Sequence, residues 1–171
     1  VQRTFNPPIQ TAPPSTQVLR GHVADRFERR ALRVSWNGAR LEGRIGGWWF
    51  PQTFALERSQ SGLIGRSGAL AINITHGNGL LEVLVGGAGY SERVTLELAT
   101  MTGWLERGET REPVRVQNHD ASSVTVGTHS ASLEPTDAPG WIALSAVLVA
   151  VITERELSRT LLESLRDLRD S

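Results

Sequence analysis

The side chains of this 171-residue chain that could do chemistry are four histidines, eighteen acids, eighteen arginines and scattered hydroxyls, because it has no cysteine and no lysine. Without a thiol there is no disulfide, no thiol nucleophile and no cysteine-ligated metal. The densest cluster is His119, Asp120, Ser122 and Ser123, a base, an acid and two hydroxyls within five residues. A hydrolase using His119, Asp120 and Ser122 is the enzymatic alternative for this chain. Hydrolytic triads, however, gather their members from separate elements around an oxyanion hole, and the run from Asn118 to Ser122 has the composition of a polar turn. His22, His76, His119 and His129 stand singly, with no His-x-His or His-Glu-x-x-His spacing, so no metal site is expected. The run Gly86, Gly87, Ala88, Gly89 has the composition of a phosphate loop, but such a loop opens a helix, whereas Arg93 to Leu98 alternates as a strand does. No catalytic residue and no cofactor is assigned, and activity as an enzyme is the lesser expectation.

The elements that must position these residues show in an internal repeat. The segment from Leu41 to Glu57 aligns without gaps on Leu81 to Glu97, an offset of 40, and a weaker copy from Leu19 to Val34 lies 22 residues earlier. Shorter echoes occur at Leu63–Arg66 and Val124–Gly127. Each full copy alternates apolar and polar residues into a tip and alternates out again, the period of a half-buried strand hairpin. Asn37-Gly38 and Gly77-Asn78-Gly79 carry the turn residues that join one hairpin to the next. Ten to twelve short strands fit between Val18 and Leu133, more than suit one open sheet and suited to a closed antiparallel barrel without edges. Equal spacing through strand, tip and strand predicts that Ile45 and Val85 face the same way.

The two ends of the chain differ from the middle. Pro7, Pro8, Pro13 and Pro14 make residues 1–17 an extended arm. That opening shows no secretory signal, so the cytoplasm is the default placement. Residues 141–152 are apolar on every side, and as a helix they cover about 18 Å, too little for a ~30 Å hydrocarbon core. A helix of this kind belongs inside a protein, and a barrel of so many strands is too wide for its own side chains to fill. The run is therefore expected to plug the barrel, with Asp137 and Pro139 signalling its start. From 153 to 171 the pattern becomes amphipathic, with Leu157, Leu161, Leu165 and Leu168 in a stripe opposite charged residues that pair at i,i+4, such as Arg159 with Glu163. An isolated helix of that length is marginal in water. The stripe is expected either to make a homodimer or to fold back on the barrel through a bend near Thr153.

Serial hairpins closed around a C-terminal apolar helix resemble the tubby C-terminal-like superfamily, especially its LURP-one-related and phospholipid-scramblase-like branches. The resemblance covers residues 18–152. It is carried by the closing apolar run Trp141 to Ile152 after an acidic residue, and by the strand, Asn-Gly turn and strand from Val34 to Ile45 that lead into Trp48, Trp49 and Phe50. It implies binding of a lipid head group or a protein. Lipid scrambling is not implied, since no calcium-binding acidic loop follows the barrel and a charged extension stands where a membrane anchor would be.

Candidate binding residues follow from the hairpin plan. Arg26, Arg29 and Arg30 cluster at the tip of the first copy and Arg93 near that of the third, so they are candidates for an anionic ligand at one barrel end. Trp48 and Trp49 at the second tip are candidates for an interaction patch or a lid over the barrel mouth. Formal net charge is zero, which excludes the basic excess of a typical nucleic-acid binder. The expectation is a non-enzymatic binding or scaffold protein, with an anionic lipid or a protein as its ligand; a peripheral membrane protein that docks through the arginine tips is the other alternative.

Overall fold

A computed structural model of the chain describes residues 15–47, 51–87, 90–117, 123–135 and 137–170. Twelve strands precede one helix: β1 (Gln17–Ala24), β2 (Arg29–Trp36), β3 (Arg40–Ile45), β4 (Gln52–Arg58), β5 (Gly62–Ser67), β6 (Leu70–Gly77), β7 (Leu80–Gly87), β8 (Tyr90–Glu97), β9 (Thr102–Arg107), β10 (Thr110–Val116), β11 (Ser123–Val126), β12 (His129–Leu133) and α1 (Gly140–Arg169). Each strand pairs antiparallel with the next, and β1 closes the sheet on β12. The barrel expected from the hairpin repeats is present. Its connections fall alternately at two ends. Those after β1, β3, β5, β7, β9 and β11 form the tip end, and those after the even strands form the far end.

Alternation decides which residues enter the core. Along β2, Leu32, Val34 and Trp36 are buried while Arg33 between them is exposed, and β3 repeats the pattern with Leu41 and Ile45 around Arg44. The far-end turns follow the residue types that mark them. Asn37 accepts backbone hydrogen bonds from Ala39 and Arg40 on its Oδ1 at 2.9 and 2.7 Å. Between β6 and β7, Asn78 and Gly79 both take positive φ, 53° and 74°, the pairing of a tight hairpin turn.

The three copies share one register. Leu41 lies opposite Leu56, Leu81 opposite Leu96 and Leu19 opposite Val34, and Ile45 and Val85 are both buried inward. The copies differ in how they fill the same space. In the second, Gly43 lies opposite Phe54, and a Cβ on Gly43 would fall 2.0 Å from the Phe54 ring. The third copy has Val83 opposite Val94 at the equivalent rung. One large residue over none has been exchanged for two of middle size, which conserves volume.

The helix enters at the far end, where Trp141 stacks on His76 with ring centroids 4.8 Å apart. Every residue from Ile142 to Glu154 is buried, whichever way it points, so this stretch runs through the barrel. Small residues Ala143, Ser145, Ala146 and Ala150 alternate with Leu144, Leu148 and Ile152, which suits close approach to the wall. No helix among the described residues is long and apolar enough to cross a membrane. Pro139 occupies the N-cap position, directly at the start signalled by Asp137 and Pro139, and no side chain caps the helix. The helix also passes straight through Thr153 to Arg169, and residues 160–170 are exposed. The tail therefore does not fold back, because the hydrogen-bonded turns of the plug carry on without a break.

The exchange at the second and third copies gives a direct test. Gly43→Val alone overpacks the rung and is expected to destabilise the fold by about 1–3 kcal/mol. Adding Phe54→Val, which recreates the pair of the third copy, should recover at least about 1 kcal/mol in a denaturation cycle. Purely additive losses would show that the two positions do not share space.

Candidate functional site at the tip end

The helix leaves the barrel through a collar of inward polar residues. In three repeat copies the residue opposite the last inward apolar of the first strand is polar: Arg30 opposite Val23, Gln52 opposite Ile45 and Glu92 opposite Val85. The β9–β10 hairpin adds Glu112 opposite Leu105 at the same spacing. From the helix, Glu154 meets Arg30 at 3.0 Å, and Arg155 lies between Glu92, at 3.5 Å, and Glu112, to which it donates a hydrogen bond. Thr153 shares a hydrogen bond with Ser67 at 2.9 Å. Within the collar Glu92 is only 3% exposed while Glu112 stands 43% exposed at its edge, and Gln52 Oε1, Glu92 Oε2, His129 Nε2 and Arg155 Nη1 find no hydrogen-bond partner among the described residues.

Burial shapes the titration of this collar. It pushes the Glu154 carboxyl above the ordinary carboxylate range, opposed first by the nearby Arg30. It pushes His129 below the usual imidazole range, helped by the Arg155 guanidinium and opposed by Asp25 and Glu112. His22, on the outer wall of β1, is lowered by burial and by Arg29. The pairs of Glu154 with Arg30 and of Arg155 with Glu92 and Glu112 fix the helix in the barrel mouth. Repeat alignment places Arg30, Gln52 and Glu92 in one column, so this ring was open to sequence reasoning through the inward position just after each tip.

The residues singled out from sequence do not converge. Arg30 points inward to Glu154, Arg29 reaches His22 Nδ1 at 2.8 Å, and Arg26 is exposed in the β1–β2 connection. Arg93 faces outward on β8, opposite Leu84 and Glu106, six strands from β2 in either direction round the barrel. Trp48 and Trp49 lie outside the described residues, as do His119, Asp120 and Ser122. Beside Arg26, Phe27 is 91% exposed. Asp25 holds it out by accepting the Phe27 and Glu28 backbone N–H groups on Oδ1, both at 2.7 Å.

The leucines continue beyond the collar. Leu157 is half-buried in a groove of about 460 Å³ beside Pro51, Gln52 and Leu70. Leu161, Leu162, Leu165 and Leu168 are exposed, from 55% to 74%. Residues seven apart on a helix point within about 20° of each other, so Leu161 and Leu168 extend the direction that Glu154 sets toward β2. Arg159 braces the tail by pairing with Glu156 and Glu163, both at 2.7 Å.

The lowered His129 makes the collar sensitive to acid. Below the ordinary imidazole value of 6.5, the unfolded chain binds this proton more readily than the folded one. The stabilisation is therefore complete above pH 6.5 and is lost as pH falls from there through the lower value of the folded state. Denaturation midpoints of His129→Gln should fall less steeply than those of the unaltered protein between about pH 7 and pH 5. Equal slopes would mean that His129 titrates as it does in the unfolded chain.

No protein-family model, no curated protein and no solved structure matches this chain, so what this end of the barrel can do is argued from its own geometry.

Proposed function

We propose that the protein is a non-enzymatic binding or scaffold protein, on the tubby-like plan that its sequence resembles, which presents the tail of α1 as a contact surface to a second copy of itself. The observation that carries this reading is the helix that runs past the barrel mouth with four leucines uncovered. A solvated stretch of about fifteen residues is marginal as a helix on its own, and covering the stripe removes that weakness. A second copy suits it because residues 155–170 hold four arginines and four acids. Neutral tails do not repel one another, and a two-fold contact sets leucine against leucine. The plug supports the non-enzymatic part, since α1 occupies the lumen in which a barrel would otherwise hold a substrate.

Light scattering tests this on the intact chain. The unaltered protein is expected to be dimeric and Leu161→Glu/Leu165→Glu monomeric, with unchanged strand content by circular dichroism. Truncation at Ile152 is the poorer test, because it removes Thr153, Glu154 and Arg155 from the collar. A monomeric unaltered protein at tens of micromolar would end the dimer reading.

A second reading rests on Phe27, the most exposed large apolar residue described, which stands beside Arg26 and Arg29. An exposed aromatic tip with Arg26 and Arg29 set among the acids Asp25 and Glu28 suits the interface of an anionic lipid surface. Vesicles containing phosphatidylserine should retain the protein in a flotation assay and release it on Phe27→Ala, whereas vesicles of phosphatidylcholine should not hold it. Equal retention by both lipids would remove this reading.

A further inference from the structure

The outer wall carries an arrangement that the tip end does not explain. Arg20 on β1 lies directly opposite Arg33 on β2, and Arg33 directly opposite Arg44 on β3. All three are exposed, because their neighbours Leu19, Leu32, Val34 and Ile45 take the inward positions. Like charges directly opposite in a sheet destabilise it, and here two such pairs are joined in one row. Counter-charge on the protein does not remove the conflict. Among the described residues no carboxylate lies within ion-pair distance of the three. Glu134 follows β12 and donates its backbone N–H to the Arg20 carbonyl at 2.8 Å, but its carboxylate makes no ion pair with Arg20, and Glu42 is engaged by Arg40 at 2.7 Å. Among the described residues Arg44 donates to the Gly47 carbonyl alone, at 3.3 Å.

Two grooves flank the row. One, of about 610 Å³, lies between Arg33, Arg44 and Arg66 over Thr53 and Ala55, with Glu42, held by Arg40, also in its lining. The other, of about 500 Å³, lies between Arg20, Arg33 and Arg44 over Ala31 and Gly46. The small residues keep the floor low, so the guanidinium groups stand as walls. Since the whole chain has no net charge, four arginines against the one carboxylate of Glu42 around two adjoining grooves is a segregation of charge.

We propose that this row is a binding site for a soluble oligophosphate, with Arg20, Arg33 and Arg44 each holding a phosphoryl group and Arg66 closing one edge. Guanidinium groups meet phosphate oxygens through paired hydrogen bonds that an ammonium does not match. Neighbouring strands set the arginines about 4.8 Å apart, so the row spans more than one anionic group and favours a linear anion over a single phosphate. A flat bilayer meets a curved wall along a narrow line, whereas a chain of phosphoryl groups follows the row around it. The proposal is independent of the tail and of Phe27.

Calorimetry with sodium tripolyphosphate, against sodium sulfate at equal ionic strength, tests the site. Tripolyphosphate is expected to bind the unaltered protein, and Arg33→Gln and Arg44→Gln each to weaken it by about tenfold or more. Arg111→Gln, on β10, should leave binding unchanged. Relief of the repulsion gives a second readout: Arg33→Gln without ligand should melt about 1–3 °C higher than the unaltered protein. A gain in stability together with a loss of binding marks a ligand site and excludes a structural role for the row. Sulfate matching tripolyphosphate, or Arg33→Gln binding as well as the unaltered protein, would overturn the proposal. So would retention on phosphatidylserine vesicles, lost in Arg33→Gln, without any binding of tripolyphosphate, since that outcome assigns the row to a membrane.

Discussion

Everything in this molecule answers to the width of its barrel. Twelve strands close into a cylinder whose inward side chains do not meet across the middle, so the fold exists only with a rod to fill it. That rod must be apolar on every face, must contain small residues where strands press in, and must be about as long as the wall. The stretch from Ile142 to Ile152 meets each condition, which is why a helix so apolar sits in a chain of zero net charge. Wall and helix are mutual requirements, since neither buries its apolar face alone.

An apolar rod in an apolar sleeve has little to fix its depth or rotation. The collar supplies what packing lacks. Arg30 with Glu154, and Arg155 between Glu92 and Glu112, meet at one depth and one rotation. Removing one partner leaves a buried charge uncompensated, which is the costly case for such pairs. This polar ring lies at the border between plug and tail, so it also decides where the helix begins to face water.

Much of the architecture is legible in the sequence because hairpins repeat. Alternation around Leu41 and Leu81, with Asn-Gly turns at the required spacing, dictates strands, register and inward faces without reference to distant residues. The apolar run from Trp141 is equally plain. The straight passage through Thr153 was hidden, since an amphipathic pattern after an apolar one is compatible with a bend as well as with continuation. The ring of Arg30, Gln52 and Glu92 was present in the alignment but disguised, because three unlike polar side chains do not look like one position. The row of Arg20, Arg33 and Arg44 was further from view. It appears only when the pairing of three strands is known, and total charge conceals it.

One consequence lies in the order of the elements along the chain. The segment that fills the barrel follows all twelve strands, and the pairing of β1 with β12 joins the first strand made to the last. During synthesis the inner faces of eleven strands are thus exposed before either the closing partner or the core exists. Contacts between chain segments so far apart form slowly, and unpaired strand edges with apolar faces are prone to associate with other chains. Closure of the wall and filling of the core accordingly both wait for β12 and α1, which follow the strands they complete.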